Sequence, residues 1–519
     1  MNKSEDLILS IDSGTQSVRA VLVDLNGNIE KIVKTNIEAY FSVKPGWAEQ
    51  KPEYFWQKLC ETSKKLFNEN PEIKTRVKAV TLTTQRSTVI NLDKNGNSLR
   101  PAISWLDQRQ AEKEKYPSKL FGTVLSLLNL RESVIHAIKN GECNWIRQNQ
   151  TDIWEKTHKY LYLSGFYTYK LTGEFSDSIG NMVGYMPFDY KNHKWASDNH
   201  MNCKMFPVEK EKLPKLYRPS EELGKISKKA SEETGIPEGL PLMAAASDKA
   251  CEVLGSGVFE PDIACLSYGT TATVQTTHKK YIEVIPFFPA YPSAIPKYFN
   301  TEIQIYRGFW MVNWFKKQFG QSEVMEAEKL NIAAEQLFDE MIKEIPPGAM
   351  GLTLQPYWSP GVKYPGTEAK GAIIGFGDVH TRAHIYRAIL EGLAYSLKEG
   401  LLNTEKRTKV KVNKLVVSGG GSQSNQAMQI TADIFNKVAE RPHTYETSAL
   451  GAAINAVVGL GYFPDFKTAV KSMCRTETVF EPIPANMKIY EDLYENIYAK
   501  MYKKLQPLYN QIRKITKYP

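Results

Sequence analysis

Residues 7–24 read LILSIDSGTQSVRAVLVD. Leu7 to Ile11 form a short apolar run, Asp12-Ser13-Gly14-Thr15-Gln16 a polar tip carrying glycine, and Val18 to Asp24 a β-branched run before the turn signal Asn26-Gly27. Apolar strand, polar tip and second strand predict a hairpin. Near the middle of the chain, residues 262–277 (DIACLSYGTTATVQTT) follow the same plan. The two Gly-Thr pairs begin at Gly14 and Gly269, 255 residues apart in a chain of 519. Matching hairpins at the head of each half point to a duplicated architecture, two similar domains presenting loops to one cleft, although Gly-Thr turns are common enough to coincide.

The rest of the chain alternates strand and helix signals, so the expected class is α/β. A second hairpin is expected over Lys78 to Arg100, with Lys94-Asn95-Gly96-Asn97 suited to positive backbone dihedrals. Apolar spacing predicts helices over Pro52 to Phe67 and around Ile153 to Leu171. A linker is expected between Pro237 and Gly257, with the division near Gly255: residues 1–254 as one domain and 255–519 as the other. From Asn486, apolar residues at helical spacing predict a packing helix.

Composition narrows the field. Hydrophobic residues make up 42% and charged residues 24%, which removes collagenous, disordered and low-complexity readings. The net charge of +9 is spread along the chain, so nucleic-acid binding gains no support. Six cysteines without a C-x-x-C pair indicate neither zinc nor a disulfide framework, and reduced thiols follow. The N-terminal apolar run is too short for a signal-peptide core, and no stretch reaches the roughly 20 apolar residues of a membrane span. The expectation is a soluble, cytoplasmic protein with no nucleic-acid or membrane partner; a homo-oligomer stays open.

The chemistry concentrates in loops. Asp12 to Gln16 offers backbone N–H groups, hydroxyls and a carboxylate, a mixture that can hold phosphate oxygens while the acid orients hydrated magnesium. Gly14 would allow close approach, with Thr15, Ser17 and Arg19 adding donors; an Asx-turn hairpin is the plainer reading. Tyr268-Gly269-Thr270-Thr271 has similar donors without the acid. A third loop, Gly419-Gly420-Gly421, follows the strand Lys414 to Ser418 and opens a helix from about Ser424 to Val438. That strand, glycine and helix order suits a nucleotide, yet it is neither G-x-G-x-x-G nor a P-loop, and a tight left-handed connection explains it equally well.

Asp248 stands where a strand gives way to a helix, as an N-cap or as a general base for an alcohol that attacks phosphorus. Gln85-Arg86-Ser87 and Trp105-Leu106-Asp107-Gln108-Arg109 supply hydrogen-bonding groups and an aromatic face, the ingredients of a sugar or polyol pocket or of ordinary surface polarity. The eight histidines form no H-E-x-x-H, and no G-x-S-x-G elbow is present, so metalloprotease and hydrolase readings fall away.

Assembled, these segments resemble the FGGY carbohydrate kinases from about Leu7 to Phe463. LSIDSGTQSVRAVLVD is similar to the family's first phosphate motif, PGWAEQKPEYFW to its Trp-x-Glu-Gln stretch and LRPAISWLDQR to its substrate-side loop. SDKACEVLGSG resembles the segment with the catalytic aspartate, LSYGTTATV the second phosphate motif and VVSGGGSQSNQAMQITADIF the adenosine motif. GAIIGFGDVHTRAHIYRAILEGLAY follows the C-terminal signature, with Phe376 where a smaller aliphatic residue is usual.

The resemblance implies two actin-like (ribonuclease H-like) ATPase domains around a central cleft. It implies MgATP between them and the sugar mainly on the first. By motif position, Asp12 would hold magnesium through water. Ser13, Gly14, Thr15, Arg19, Gly269 and Thr270 would lie at the ATP phosphates, and Gly420, Gly421 and Ser424 at the adenosine. Arg86, Ser87, Trp105 and Asp107 would meet the acceptor, with Asp248 as the base. Glycerol kinases carry Glu after the Gln-Arg pair, where this chain has Ser87, and xylulokinases resemble Gln-Met-His there. The family's Lys before Trp is replaced by Glu142 ahead of Trp145, and Val124 to Asn140 has no counterpart. The acceptor, its phosphorylated hydroxyl and any effector stay open. The expected function is ATP-dependent phosphorylation of a small sugar, ketose or polyol. The alternative is a non-catalytic ATP- or sugar-binding regulator on the same scaffold, and a structural ATPase related to actin ranks third.

Overall fold

A computed structural model describes residues 5–112, 131–359 and 365–517. Two mixed sheets organise it. The first is built from β1 (Leu7–Ser13), β2 (Ser17–Asp24), β3 (Ile29–Asn36), β4 (Val77–Thr84), β5 (Glu222–Lys225) and β6 (Pro241–Met243) in the order β5-β6-β4-β1-β2-β3. The second uses β7 (Ile263–Tyr268), β8 (Ala272–His278), β9 (Tyr291–Pro292), β10 (Phe299–Ile305), β11 (Lys414–Ser418), β12 (Val438–Pro442) and β13 (Thr476–Phe480) in the order β9-β10-β8-β7-β11-β12-β13.

The duplication is visible in the pairing. In the first sheet β1, β2 and β3 run antiparallel in succession, and on the other side of β1 lie β4, parallel to it, and then β6, parallel to β4. In the second sheet β7, β8 and β10 form the antiparallel ladder, with β11 and β12 parallel beyond β7. Both Gly-Thr pairs therefore sit at the first hairpin of a sheet, at the end of its central strand.

Alternation decides which residues face which layer. Leu7, Leu9 and Ile11 join Phe55, Leu59 and Leu66 of α1 (Pro52–Glu69) in one core, while Ile8, Val21 and Val23 face the opposite core. That opposite core is filled by a late part of the chain, including Ala449, Ala452, Ala453 and Ala456. The covering helix, α5 (Thr447–Gly459), crosses α2 (Asp248–Gly255) at very short range. A Cβ on Gly255 would stand 1.9 Å from the Thr447 carbonyl oxygen, and one on Gly451 would stand 1.9 Å from that of Cys251. Only glycine permits this approach. Segment 447–473 thus packs on the first sheet, although in sequence it lies between β12 and β13 of the second. In the second sheet, α3 (Arg382–Thr408) and α4 (Asn425–Phe435) share a core with β7, β8 and β11.

Three expectations are corrected. Lys78 to Arg100 is not a hairpin. Val77–Thr84 pairs in parallel with β1, whereas Val89–Leu92 joins a separate four-stranded sheet with Glu49–Gln50, Ala102–Ile103 and Lys159–Tyr162. Strand partners are chosen by tertiary packing, which local turn chemistry cannot foresee. The helix around Ile153 to Leu171 is two helices, Thr151–Lys156 and Leu163–Thr172, divided by that last strand. The helix after the triple glycine ends at Phe435, and Val438 already belongs to β12. Of the stretch 124–140, residues Arg131–Asn140 are helical and 124–130 lie outside the described residues. The terminal packing helix is present as Pro484–Leu493, one π turn and Ala499–Thr516.

Candidate active site

The first loop closes the β1–β2 hairpin, with the Gly14 N–H donating to the Ser17 carbonyl at 3.0 Å. Asp12 ends up 5% exposed, its Oδ2 accepting from Arg19 Nη1 at 3.0 Å, and Arg19 Nε lies 3.5 Å from Glu446. Burial pushes the Asp12 carboxyl up to about 6; Arg19 opposes the shift, while the charges of Glu446 and Asp248 reinforce it. Thr15 Oγ1 accepts from Trp105 Nε1 at 3.0 Å, which ties the first Gly-Thr loop to the Trp105 loop. The Ser13 hydroxyl turns inward to Tyr167 at 3.1 Å, so this residue offers the cleft its backbone alone.

The second loop is braced from behind. The Gly269 carbonyl accepts from the Phe309 N–H at 3.0 Å, and Tyr268 stacks on Phe309 with ring centroids 4.3 Å apart. A Cβ on Gly269 would lie 3.9 Å from Lys249 Nζ. That ammonium donates to Glu252 at 2.7 Å and to Ser267 at 2.6 Å. Thr270 is exposed at the tip. The third loop abuts the second: Gly419 has φ 84°, and a Cβ there would lie 3.2 Å from Gly269 N. At Gly421 a Cβ would strike the Phe309 ring at 2.3 Å, whereas Gly420 faces open space. Ser424 caps α4, accepting from the Ala427 N–H at 2.9 Å and donating to Asp339 at 2.5 Å, so its hydroxyl is already committed.

Asp248 is the first residue of α2, and Ser247 holds the cap position. Its Oδ1 accepts from the Lys249 N–H at 2.8 Å and lies 4.0 Å from Arg86 Nε. The side chain keeps 29% exposure, yet burial in the cleft raises its pKa above the usual carboxylate range; Arg86 and Lys249 restrain the rise. Arg86 spans the two halves of the chain, donating from Nη1 and Nη2 to both Glu302 oxygens at 3.0 and 2.9 Å. Tyr291 lies 5.6 Å from the guanidinium.

The acceptor-side residues divide. Trp105 is 38% exposed and available as an aromatic face. The Asp107 carboxylate is consumed: it accepts from the Arg109 N–H, Nε and Nη2 and from the Ala48 N–H, all between 2.6 and 2.8 Å. It therefore holds the Trp105 loop in place and does not reach the cleft in this arrangement. Ser87, with φ 53°, donates to the Val183 carbonyl at 2.8 Å.

The structure thus gathers Asp12, Arg19, Arg86, Asp248, Gly269 and the glycine loop, and turns the side chains of Ser13, Asp107 and Ser424 to other work. Sequence reasoning missed Lys249, Glu302, Tyr291 and Glu446. Lys249 and Glu252, one helical turn apart beside Asp248, carried a local signal. Glu302, within an unremarkable strand, carried none.

Among the described residues no group of three or more His, Cys, Asp or Glu side chains would hold a metal by itself. A cation here would draw most ligands from water and phosphate oxygens, the habit of magnesium. Asp12, whose Oδ2 is held by Arg19 and whose Oδ1 accepts no hydrogen bond among the described residues, suits that donor set. No helix among the described residues is long and apolar enough to cross a membrane.

Family models for the FGGY carbohydrate kinases match the chain twice, the N-terminal domain over residues 7–255 and the C-terminal domain over 264–460. The uncharacterized sugar kinase YgcE of Escherichia coli (strain K12) is 30% identical over 492 residues, 94% of this chain and 92% of the relative. A xylulose kinase of Staphylococcus epidermidis (strain RP62A) is 26% identical over 94% of this chain and 95% of its own. The crystal structure of a ligand-bound xylulose kinase from Lactobacillus acidophilus shares the fold, with a TM-score of 0.82 at 21% identity over 98% of this chain and 99% of that one. Sugar kinases of this family use ATP and transfer phosphoryl to an alcohol group. With its duplicated sheets and both family domains matched in order, the chain belongs to the FGGY family of carbohydrate kinases.

Proposed function

We propose that Asp248 is the general base of this kinase, acting on a hydroxyl of a small sugar, ketose or polyol held between Arg86 and Trp105. The observation that carries the reading is the position of Asp248. It lies 4.0 Å from Arg86 on the acceptor side, and its neighbour Lys249 reaches the second Gly-Thr loop. In the transfer, the acceptor oxygen forms a bond to the γ-phosphorus, the bond to the β-bridging oxygen breaks, ADP leaves with that electron pair, and Asp248 takes the acceptor proton.

Backbone N–H groups of the two Gly-Thr loops, the Thr15 and Thr270 hydroxyls and Arg19 bind the phosphates; Gly420 leaves room for the adenosine, Gly421 lets that loop pack on Phe309, and Ser424 holds the loop by capping its helix. Asp12 would hold magnesium through water, and that cation supplies charge neutralisation on the phosphates. Asp107 positions the acceptor loop through Arg109 and Ala48. Residues 1–254 form the acceptor-side domain and 255–519 the nucleotide-side domain, meeting through the α2–α5 glycine crossing. Closure about that crossing excludes water and limits idle hydrolysis of ATP.

The test is ADP release against pentuloses, hexuloses, aldonates and polyols, for the parent and for Asp248→Asn. Acceptor-stimulated turnover in the parent, lost in the variant while ATP still binds, supports the reading. Equal turnover in both removes Asp248 from the mechanism. A non-catalytic regulator is not favoured, because the chain retains the acids and both Gly-Thr tips throughout a match to named kinases.

A further inference from the structure

We infer that the second half of the chain completes the acceptor pocket, and that Glu302 within it selects neutral polyhydroxy acceptors over sugar acids. The inference rests on the kinase reading above, with the acceptor beside Arg86 and Asp248. Ser87, next to Arg86, turns its hydroxyl away to the Val183 carbonyl. β10 brings a second carboxylate to Arg86 from the other half of the chain, because Glu302, with a side chain 6% exposed, holds Arg86 by two hydrogen bonds.

Charge then decides what fits. Arg86 and Lys249 face Glu302, Asp248 and Glu252, which leaves the cluster one negative charge in excess. Both Arg86 Nη atoms are already committed to Glu302, so an incoming carboxylate would be desolvated beside two like charges with no free bidentate partner. A hydroxyl meets no such penalty, since it can donate to a carboxylate and accept from a neighbour.

Beside Asp248 lies a cavity of about 10 Å³, lined by Arg86, Ser247, Lys249, Tyr291, Asn300 and Glu302, enough for one water or one hydroxyl group. Ser247 Oγ and Asn300 Nδ2, in residues that are each 2% exposed, are buried there without a hydrogen-bond partner. Buried polar atoms are normally satisfied, so this pair marks a place where a ligand hydroxyl or its water belongs. Asn300 Oδ1 already accepts from the Thr277 hydroxyl at 3.1 Å, which leaves the Nδ2 donor for a hydroxyl or water in the cavity that Asn300 lines.

The experiment compares kcat/KM of the parent, Glu302→Gln and Glu302→Asp for D-xylulose, xylitol and glycerol against D-gluconate, with the KM for ATP and a thermal melt for each protein. The parent is expected to favour a neutral acceptor over gluconate by about 100-fold or more; Glu302→Gln should raise the gluconate-to-neutral ratio about 10-fold or more, with the KM for ATP within about 2-fold. Glu302→Asp, which keeps the charge, should retain the preference. Preference of the parent for gluconate overturns the inference. So does an unmoved ratio in folded Glu302→Gln, or an equal loss for every acceptor with an altered KM for ATP, the mark of a mere latch between halves. Calorimetric binding of the same probes to parent and variant reads the same ratio without turnover. A parent that binds neutral acceptors but releases no ADP sinks the kinase reading and not the pocket, and one that binds neither class sinks the pocket.

Discussion

The two Gly-Thr hairpins occupy the same place in two sheets of the same strand plan, yet they are furnished differently. The first ends in Asp12, buried against Arg19 and Glu446. The second has no acid at its tip and borrows a cation instead, Lys249 from α2, anchored by Glu252 and Ser267. On the proposed reading, the duplicated backbone geometry would offer two sets of N–H donors to one phosphate chain, and side chains would assign the metal-facing task to one loop and charge compensation to the other. Like folds do not imply like chemistry, even within one chain.

The largest expected effect tests the group that lies between the loops. Asp248→Asn should lower kcat by about 10² to 10⁴-fold with ATP affinity retained, measured by coupled ADP release and calorimetry. Next, Asp12→Asn should reduce kcat/KM for MgATP by about 10² to 10³-fold and raise the magnesium concentration needed for half-maximal rate. Thr270→Val in the second loop should leave that magnesium requirement unchanged. Equal magnesium responses in the two variants would break the proposed division of labour.

The joint between the halves can be probed independently. Gly451→Ala places a methyl group 1.9 Å from the Cys251 carbonyl oxygen, which forces α5 away from α2. It should destabilise the protein by about 1 to 3 kcal/mol in denaturant titration, and an unchanged midpoint would mean that the helices separate freely.

A gentler probe is pH. Burial raises the Asp248 pKa, so lowering the pH neutralises the base earlier than an ordinary carboxylate, and kcat/KM should fall about tenfold per pH unit below that point. Stability should respond in the opposite sense. The folded state takes up this proton more readily than the unfolded chain, so the contribution of Asp248 is unfavourable at neutral pH and is relieved as pH falls through the raised pKa. An acid limb at the ordinary carboxylate position would contradict the burial argument.

The sequence by itself determined the α/β class, both Gly-Thr hairpins, the glycine loop and the acid at position 248, because each is written in contiguous residues whose periodicity and turn chemistry act over a few positions. It also carried enough family motif to set their order. Only the tertiary structure decided that Val77–Thr84 pairs with β1 while Val89–Leu92 enters another sheet. The same holds for the use of the Asp107 and Ser424 side chains within the protein, and for the meeting of Glu302 with Arg86 across 216 residues. Strand partners, buried hydrogen bonds and ion pairs depend on which surfaces exclude water together, and that is a property of the packed chain as a whole, with no local spacing to announce it.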